Sequence, residues 1–303
     1  MSGRRIFTRP ARIAAIAPYL WMALFFLVPF AFVVKISLSQ TAIAQPPYLP
    51  VFDIGLGWQA LKSAFVTLSF DNFRLLVSDS LYLSSGLRSL TVAAGATAML
   101  LLIGYPIAYA MARLPRRWQP VAMTLVIVPF WTSFLIRVYA WINILQHDGL
   151  LNKILLALHV VSTPVVWLST DSAMYLGIVY SYLPFMILPL YATLAKIDPA
   201  LLEAAADLGS SPLKSFWLVT VPLSLPGVGA GVLLCFIPIV GEFVIPDLLA
   251  GSDALMIGQT LWLEFFTNRD WPVASATAVL LLAILLLPLL IYDRFQRRQM
   301  GRS

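Results

Sequence analysis

Reactive and charged side chains are scarce in this chain. One cysteine, Cys235, and two histidines, His147 and His159, occur in 303 residues. A lone cysteine closes no disulfide within the chain, and the two histidines are poorly spaced to build a metal site with it. Asp, Glu, Lys and Arg make up 11% of the residues, against about 25% in a soluble domain. That deficit excludes an ordinary soluble globular protein. The phosphate-loop pattern GxxxxGK[ST] is also missing, so the chain alone is not expected to bind or hydrolyse ATP. Its nearest glycine-rich run, PGVGAG from Pro226 to Gly231, has no lysine and lies in an apolar stretch, where glycines serve helix packing. No convergent set of His, Cys or carboxylates stands inside the apolar segments, which argues against a membrane enzyme.

Apolar residues fill the space those absences leave, at 60% of the chain. Six runs reach the roughly 20 residues a helix needs to cross a hydrocarbon layer about 30 Å thick. They start near Ile13, Ser89, Val121, Ala173, Leu225 and Pro272. All are rich in Gly, Pro and small residues, which membrane helices tolerate. The first follows Arg4, Arg5, Arg9 and Arg12 and could be mistaken for a signal peptide. Its apolar run is too long, and Pro29 and Lys35 stand where a small-residue cleavage site is wanted. It is read as an uncleaved span. The sequence therefore predicts an all-α integral membrane protein with six transmembrane helices: a tail over 1–12, a membrane domain over 13–294 and a second tail over 295–303.

Charge sets the orientation. Thirteen of the twenty Lys and Arg fall in the N-terminal tail, the RLPRRW loop (Arg113, Arg116, Arg117), the loop holding Lys196 and Lys214, and the C-terminal tail with Arg294, Arg297, Arg298 and Arg302. Basic residues mark the cytoplasmic side, so both termini are expected there. Ten of the fourteen acidic residues fall on the other side. Such an excess would concentrate a cation at the outer mouth; ordinary topology bias produces the same pattern. The first outer loop, 39–88, is long for a bare connection and is expected to form small helices and strands at the mouth of the path.

The most informative stretch is polar and lies between the fourth and fifth apolar runs: DPALLEAAADLGSSPLKSFWLVTVPLSLPG, Asp198 to Gly227. Asp198 and Pro199 suit a helix start, ALLEAAAD favours helix, and Gly209 supplies a permissive stop. Ser211 and Pro212 repeat the start signal. Two short helices meeting at a Gly-Ser turn are predicted, with Pro222 and Pro226 marking the next boundary. Ala204 to Ala206 give a low-relief surface, and Leu201, Leu202, Leu208 and Phe216 offer apolar knobs. Glu203 and Asp207, four apart, repel each other by a few tenths of a kcal/mol unless a cation compensates. Residue chemistry alone fits either a docking element or a surface-lying amphipathic loop.

The spacing adds to this. Glu203, Ala204 and Ala205, then Gly209 after three residues, then Val219, Val221 and Pro222 after nine more, closely resemble the cytoplasmic signature loop of the membrane subunits of bacterial ABC importers. PFWTSFLIRVYAW (Pro129 to Trp141) and PIVGEFVIPDLLAG (Pro238 to Gly251) resemble the spermidine/putrescine branch of that family. The resemblance implies the type I importer permease fold, with a coupling-helix loop over 196–222 in which Glu203, Ala204, Ala205, Asp207, Gly209 and Pro222 engage an ATPase. It implies a second homologous permease subunit, two ATP-binding cassette subunits that hold ATP and Mg, a soluble periplasmic substrate-binding protein, and a multi-pass place in the lipid of a bacterial inner membrane. It implies no cofactor in this chain and no nucleic-acid partner.

For a substrate path the sharpest candidate is Glu242, placed late in the fifth apolar run. A carboxylate at membrane depth needs water, a cation or a polar partner. A polyamine ammonium and Arg137 both qualify as that cation. Trp131 and Tyr139 could complete the path through cation–π attraction, while Tyr139 and Trp141 equally fit interfacial anchors. The expected function is thus half of the translocation pathway of a polyamine importer. The alternatives are a permease for another small cationic or organic solute and, from a different class, a channel or membrane scaffold.

Overall fold

The computed structural model describes residues 16, 18–51, 67–251 and 255–300. The expected tail 1–12, the start of the first apolar run, Asp53, Lys62, Asp253 and Arg302 lie outside them, as do the side chains of Arg297 and Arg298. Among the described residues, five unbroken helices are long and apolar enough to cross a membrane: Pro18–Ser37, Ser80–Arg113, Asp171–Leu194, Pro212–Val240 and Trp271–Arg294. The pair Gln119–Trp131 and Phe134–Ala157, which bends by 88°, brings the number to six when it is counted as one broken span. The all-α, six-span architecture expected from the sequence is therefore present, with the third span broken. The break has a local cause. Pro129 cannot donate to the helix ladder, the last turn tightens to a 3-10 turn at Val128–Trp131, and Thr132 and Ser133 are extended.

Other boundaries also differ from expectation. The second span begins at Ser80 rather than Ser89, so it takes up the end of the expected outer loop. The sixth helix runs on to Met300, through residues expected as a tail. The fifth span begins at Pro212, so the second of the two short helices is the first part of that span. The helix passes Pro222 without breaking because the turn just upstream, Phe216–Thr220, is widened to a π-helix. A proline ring clashes with the carbonyl four residues back, here that of Leu218, and a wider turn opens that position. The first span does the same: its π-turn at Ala23–Leu27 lies directly before Pro29.

The chain forms two compact units. One comprises residues up to Ser80 together with Leu261–Ile284. Within it, strands β1 (Gln40–Thr41) and β2 (Tyr48–Leu49) form an antiparallel hairpin, and Asp71–Ser78 is helical. Thr41 Oγ1 donates to Asp270 Oδ1 at 2.7 Å, and the same oxygen accepts from Val273 N at the start of the sixth span. Lys35 Nζ donates to the Pro50 carbonyl and lies 4.3 Å from the centre of the Tyr48 ring. Asn72 Nδ2 reaches the carbonyls of Ser37 and Ser39. The described parts of this segment, 38–51 and 67–78, are thus pinned by polar contacts.

The other unit comprises Leu81–Thr260 and residues from Leu285 on. Its core is the packing of the fourth span on the fifth. The fifth span offers a stripe of small buried residues, Ser224, Gly227, Gly231 and Cys235. The fourth answers with Met186, Pro189 and Thr193. A Cβ on Gly227 would lie 2.5 Å from Thr193 Oγ1 and 2.9 Å from the Pro189 carbonyl. Small residues let membrane helices approach closely, where dispersion rather than water exclusion holds them together. Thr193 Oγ1 and Tyr292 Oη donate to the carbonyls of Pro189 and Pro226, returning hydrogen bonds to backbone inside the apolar layer.

Gly227→Leu is expected to force these helices apart and to cost about 1–3 kcal/mol, the usual penalty of overpacking. Thermal unfolding of the purified protein in detergent measures this, and an unchanged midpoint would show that the approach is not tight.

Candidate coupling loop and intramembrane polar site

Two sites stand at opposite ends of the fifth span. At its start is the polar loop. Asp198 accepts a hydrogen bond from Ala200 N at 2.9 Å, Pro199 occupies the first turn, and the helix Pro199–Asp207 follows. It ends in a Schellman turn: Gly209 N donates to Ala206 O at 2.8 Å and Ser210 N to Ala205 O at 3.0 Å. Gly209 has φ +81°, and an added Cβ would touch nothing. Its requirement is conformational, not steric crowding. Ser211 then accepts from Lys214 N as the fifth span begins.

The loop presents its signature residues outward. Glu203, Ala204, Asp207, Gly209 and Pro222 are exposed and Ala205 is half-buried. Neither Glu203 nor Asp207 has an ion-pair partner among the described residues. Leu208 is 89% exposed, and Leu201 and Leu213 are exposed with it. Phe216 corrects one expectation. It is an inward anchor, edge-on to Tyr105 at 5.8 Å and Tyr109 at 5.4 Å.

At the far end of the span, Glu242 does not lie in the helix. The helix stops at Val240, and Gly241 to Phe243 turn the chain into the short helix Val244–Leu249. The Glu242 side chain is nearly buried, at 8% exposure. Its Oε1 accepts from Val244 N at 3.1 Å and Ile245 N at 3.4 Å, satisfying free N–H groups at the start of the short helix. Its Oε2 accepts from the Tyr182 hydroxyl at 2.5 Å. The turn cannot relax away from these donors easily, because a Cβ on Gly258 would lie 2.5 Å from the Gly241 carbonyl and 2.9 Å from that of Glu242. Gly177 of the fourth span likewise lets Leu249 and Ile245 approach closely.

The Glu242–Arg137 ion pair considered from the sequence is not formed. Among the described residues the ion pair that forms joins Arg88 to Asp171. Arg137 instead lies over Phe130 and Phe134, 4.7 and 5.8 Å from the ring centres. The tyrosine and two backbone amides already fill the place that an arginine would take. Tyr182 was missed in the sequence, where it is one aromatic among many in YSYLPF; its signal was a hydroxyl one span away from a lone carboxylate. Trp131 and Tyr139 are 78% and 52% exposed. No hydrogen bond or ring contact joins either to Glu242 among the described residues. Trp141 packs edge-on against Tyr180 at 5.3 Å and anchors the broken span to the fourth. No group of three or more His, Cys, Asp or Glu among the described residues could hold a metal ion.

The capped helix stands exposed just before a membrane span, and comparison with known proteins shows the family. The sequence profile of the binding-protein-dependent transport system inner membrane component family matches residues 104–301. The chain belongs to this family. It is a membrane subunit of a transport system rather than an enzyme. It is 43% identical over 237 residues to the spermidine/putrescine transport system permease protein PotB of Escherichia coli (strain K12), covering 78% of this chain and 86% of that protein. The protein of the same description from Haemophilus influenzae is 39% identical over 227 residues, covering 75% and 79%. Its fold is also that of solved importers. A chain of a bacterial ABC transporter for the acidic polysaccharide alginate superposes with TM-score 0.69 at 17% identity, over 96% of this chain and 97% of that one. A chain of the MetNI methionine ABC transporter in an inward-facing form gives 0.54 at 18%, over 72% and 95%. As a permease of this family, the chain is a multi-pass inner-membrane protein.

Tyr182→Phe tests the intramembrane site. It removes one of the three hydrogen bonds to Glu242 while keeping the ring. A bond to a charged group contributes about 1.5–3 kcal/mol, so the unfolding midpoint in detergent is expected to fall. Glu242→Ala is expected to lower it further, because the short helix also loses its cap. Equal midpoints for wild type and Tyr182→Phe would show that the hydroxyl is not held there.

Proposed function

We propose that this chain forms half of the translocation pathway of an ATP-driven, binding-protein-dependent importer of polyamines, putrescine or spermidine. The observation that carries the importer reading is the exposed helix Pro199–Asp207. It ends in a Gly209 turn that only glycine adopts readily, and is joined to the fifth span by the four residues Leu208 to Ser211. A rigid short helix seated in a partner's groove transmits displacement to the span it is joined to. The ATPase-coupling surface is Glu203, Ala204, Ala205, Asp207 and Gly209, with Pro222 behind it in the span. The partners are two ATP-binding cassette subunits, which supply ATP and Mg, a second homologous permease subunit and a soluble periplasmic binding protein. Both termini lie on the cytoplasmic side, an orientation supported by the distribution of Lys and Arg.

The polyamine assignment is supported by the extent of similarity to the spermidine/putrescine permeases. The chemistry is compatible with it: a carboxylate at membrane depth, and exposed aromatic rings at Trp131 and Tyr139 that attract ammonium groups. Glu242 meets a substrate ammonium when its bond to Tyr182 opens, since the hydroxyl occupies the carboxylate in the present conformation.

Uptake by the complex reconstituted in liposomes, with ATP inside and binding protein outside, tests the function. Labelled spermidine or putrescine is expected to accumulate only with both present. Accumulation without ATP would indicate a channel, and competition by unrelated solutes alone would indicate a different cargo.

The coupling surface is tested separately. Gly209→Val places a β-branched residue at positive φ, at a cost of about 1–3 kcal/mol of local strain, and Glu203→Lys reverses a charge on the docking face. Both variants are expected to insert and pair normally while transport-linked ATP hydrolysis falls several-fold. Wild-type coupling in both would refute the assignment of this loop.

A further inference from the structure

Arg137 is held in an unusual way for a charge in a membrane span. Its Nε and Nη1 atoms are buried and make no hydrogen bond, and no carboxylate pairs with it among the described residues. What it does have is the face of Phe130, 4.7 Å away, and that of Phe134, 5.8 Å away. Phe130 meets Phe185 edge-on at 5.1 Å, Phe185 lies 6.0 Å from Tyr182, and Tyr182 holds Glu242. A cation and an anion therefore sit at the two ends of one aromatic cluster, each occupied by something other than the other. The cluster can be reached from outside this chain: Phe185 is 39% exposed, and Trp131, next to Phe130, is largely exposed.

A lone guanidinium at this depth is costly, and two explanations compete. An acid from another subunit would favour the bidentate edge of the guanidinium, but two of the three nitrogens, Nε and Nη1, are buried within this chain. The ring face is what the guanidinium actually uses, and a ring face is also what attracts an alkylammonium group. Two cations cannot share it. We propose that Arg137 is a tethered cation that occupies, in this conformation, the face of Phe130 that a substrate ammonium takes in transit, and that it thereby sets the affinity of the membrane path for substrate. The proposal rests on the polyamine reading above.

The test is equilibrium dialysis of labelled spermidine against the purified permease–ATPase complex without binding protein. Arg137→Gln, which removes the competing charge, is expected to tighten binding about two- to fivefold, the span of an exposed cation–π contact. Arg137→Lys keeps a cation and is expected to bind like wild type. In a Phe130→Leu background, Arg137→Gln is expected to change nothing, because the contested face is gone. A second measurement needs no arginine variant: a fluorine label on the ring of Phe130 in the otherwise wild-type complex should shift its resonance on saturation with spermidine.

Unchanged or weaker binding in an assembled Arg137→Gln complex, a gain that survives Phe130→Leu, or a fluorine signal unmoved by spermidine would each overturn the proposal. A wild-type complex that takes up spermidine but shows any of these refutes Arg137 alone. A wild-type complex that takes up none refutes the polyamine reading, and the proposal with it.

Discussion

The polar loop and Glu242 both hang on one helix contact, the seating of the fifth span on the fourth. Ser224, Gly227, Gly231 and Cys235 are buried along one stripe of the fifth span, and the fourth span comes so close that a methyl group at Gly227 would meet backbone. A contact of this kind resists sliding, since its energy is the sum of many short-range dispersion terms lost together on a small displacement. The Gly209 turn precedes this span and Glu242 follows it. At 1.5 Å per residue the helix Pro212–Val240 is about 44 Å long, enough to join the two ends of a bilayer-spanning site mechanically.

Such a helix has to survive its own sequence. It contains Pro222, Pro226 and Pro238, any of which would break a helix in water. Inside lipid, backbone polar groups need partners in the protein and each proline ring needs room. A π-turn at Phe216–Thr220 makes room for Pro222, and the Tyr292 hydroxyl donates to the Pro226 carbonyl. At Pro129 the turn tightens instead, with the Thr132 hydroxyl donating to the Pro129 carbonyl, and this is the span that bends by 88°. Proline alone does not decide between a continuous and a broken span, since Pro106, Pro184, Pro189 and Pro226 all lie inside unbroken helices.

This marks where the sequence was legible. Hydrophobic length revealed six spans, because lipid imposes a length that composition cannot disguise. The loop from Asp198 to Gly209 was readable to the residue, since caps and a positive-φ stop are local effects carried by the side chains of Asp, Ser, Pro and Gly. The extra turns that begin the second and fifth spans were not readable, because they are polar or proline-bearing and are made helical by continuity with the helix behind them. Glu242 was found as an isolated charge, but its partner was not. A lone arginine in the third span, Arg137, drew attention by its sign, whereas Tyr182 of the fourth is neutral and offers no charge signal. What separates them is which span's side chains reach the turn after Val240, a matter of packing that no sequence spacing contains.

The resulting arrangement has a consistent electrostatic logic. A carboxylate free in the membrane would seize any cation, and a guanidinium free in the membrane would seize the carboxylate; an ion pair between them would be deep and slow to open, since low dielectric strengthens attraction as it penalises exposure. Here the acid is spread over one hydroxyl and two amides, and the base is spread over two rings. Each charge is held by several weaker contacts in place of one strong one. Weak contacts can be exchanged one at a time as helices shift, without passing through a state in which a bare charge faces lipid.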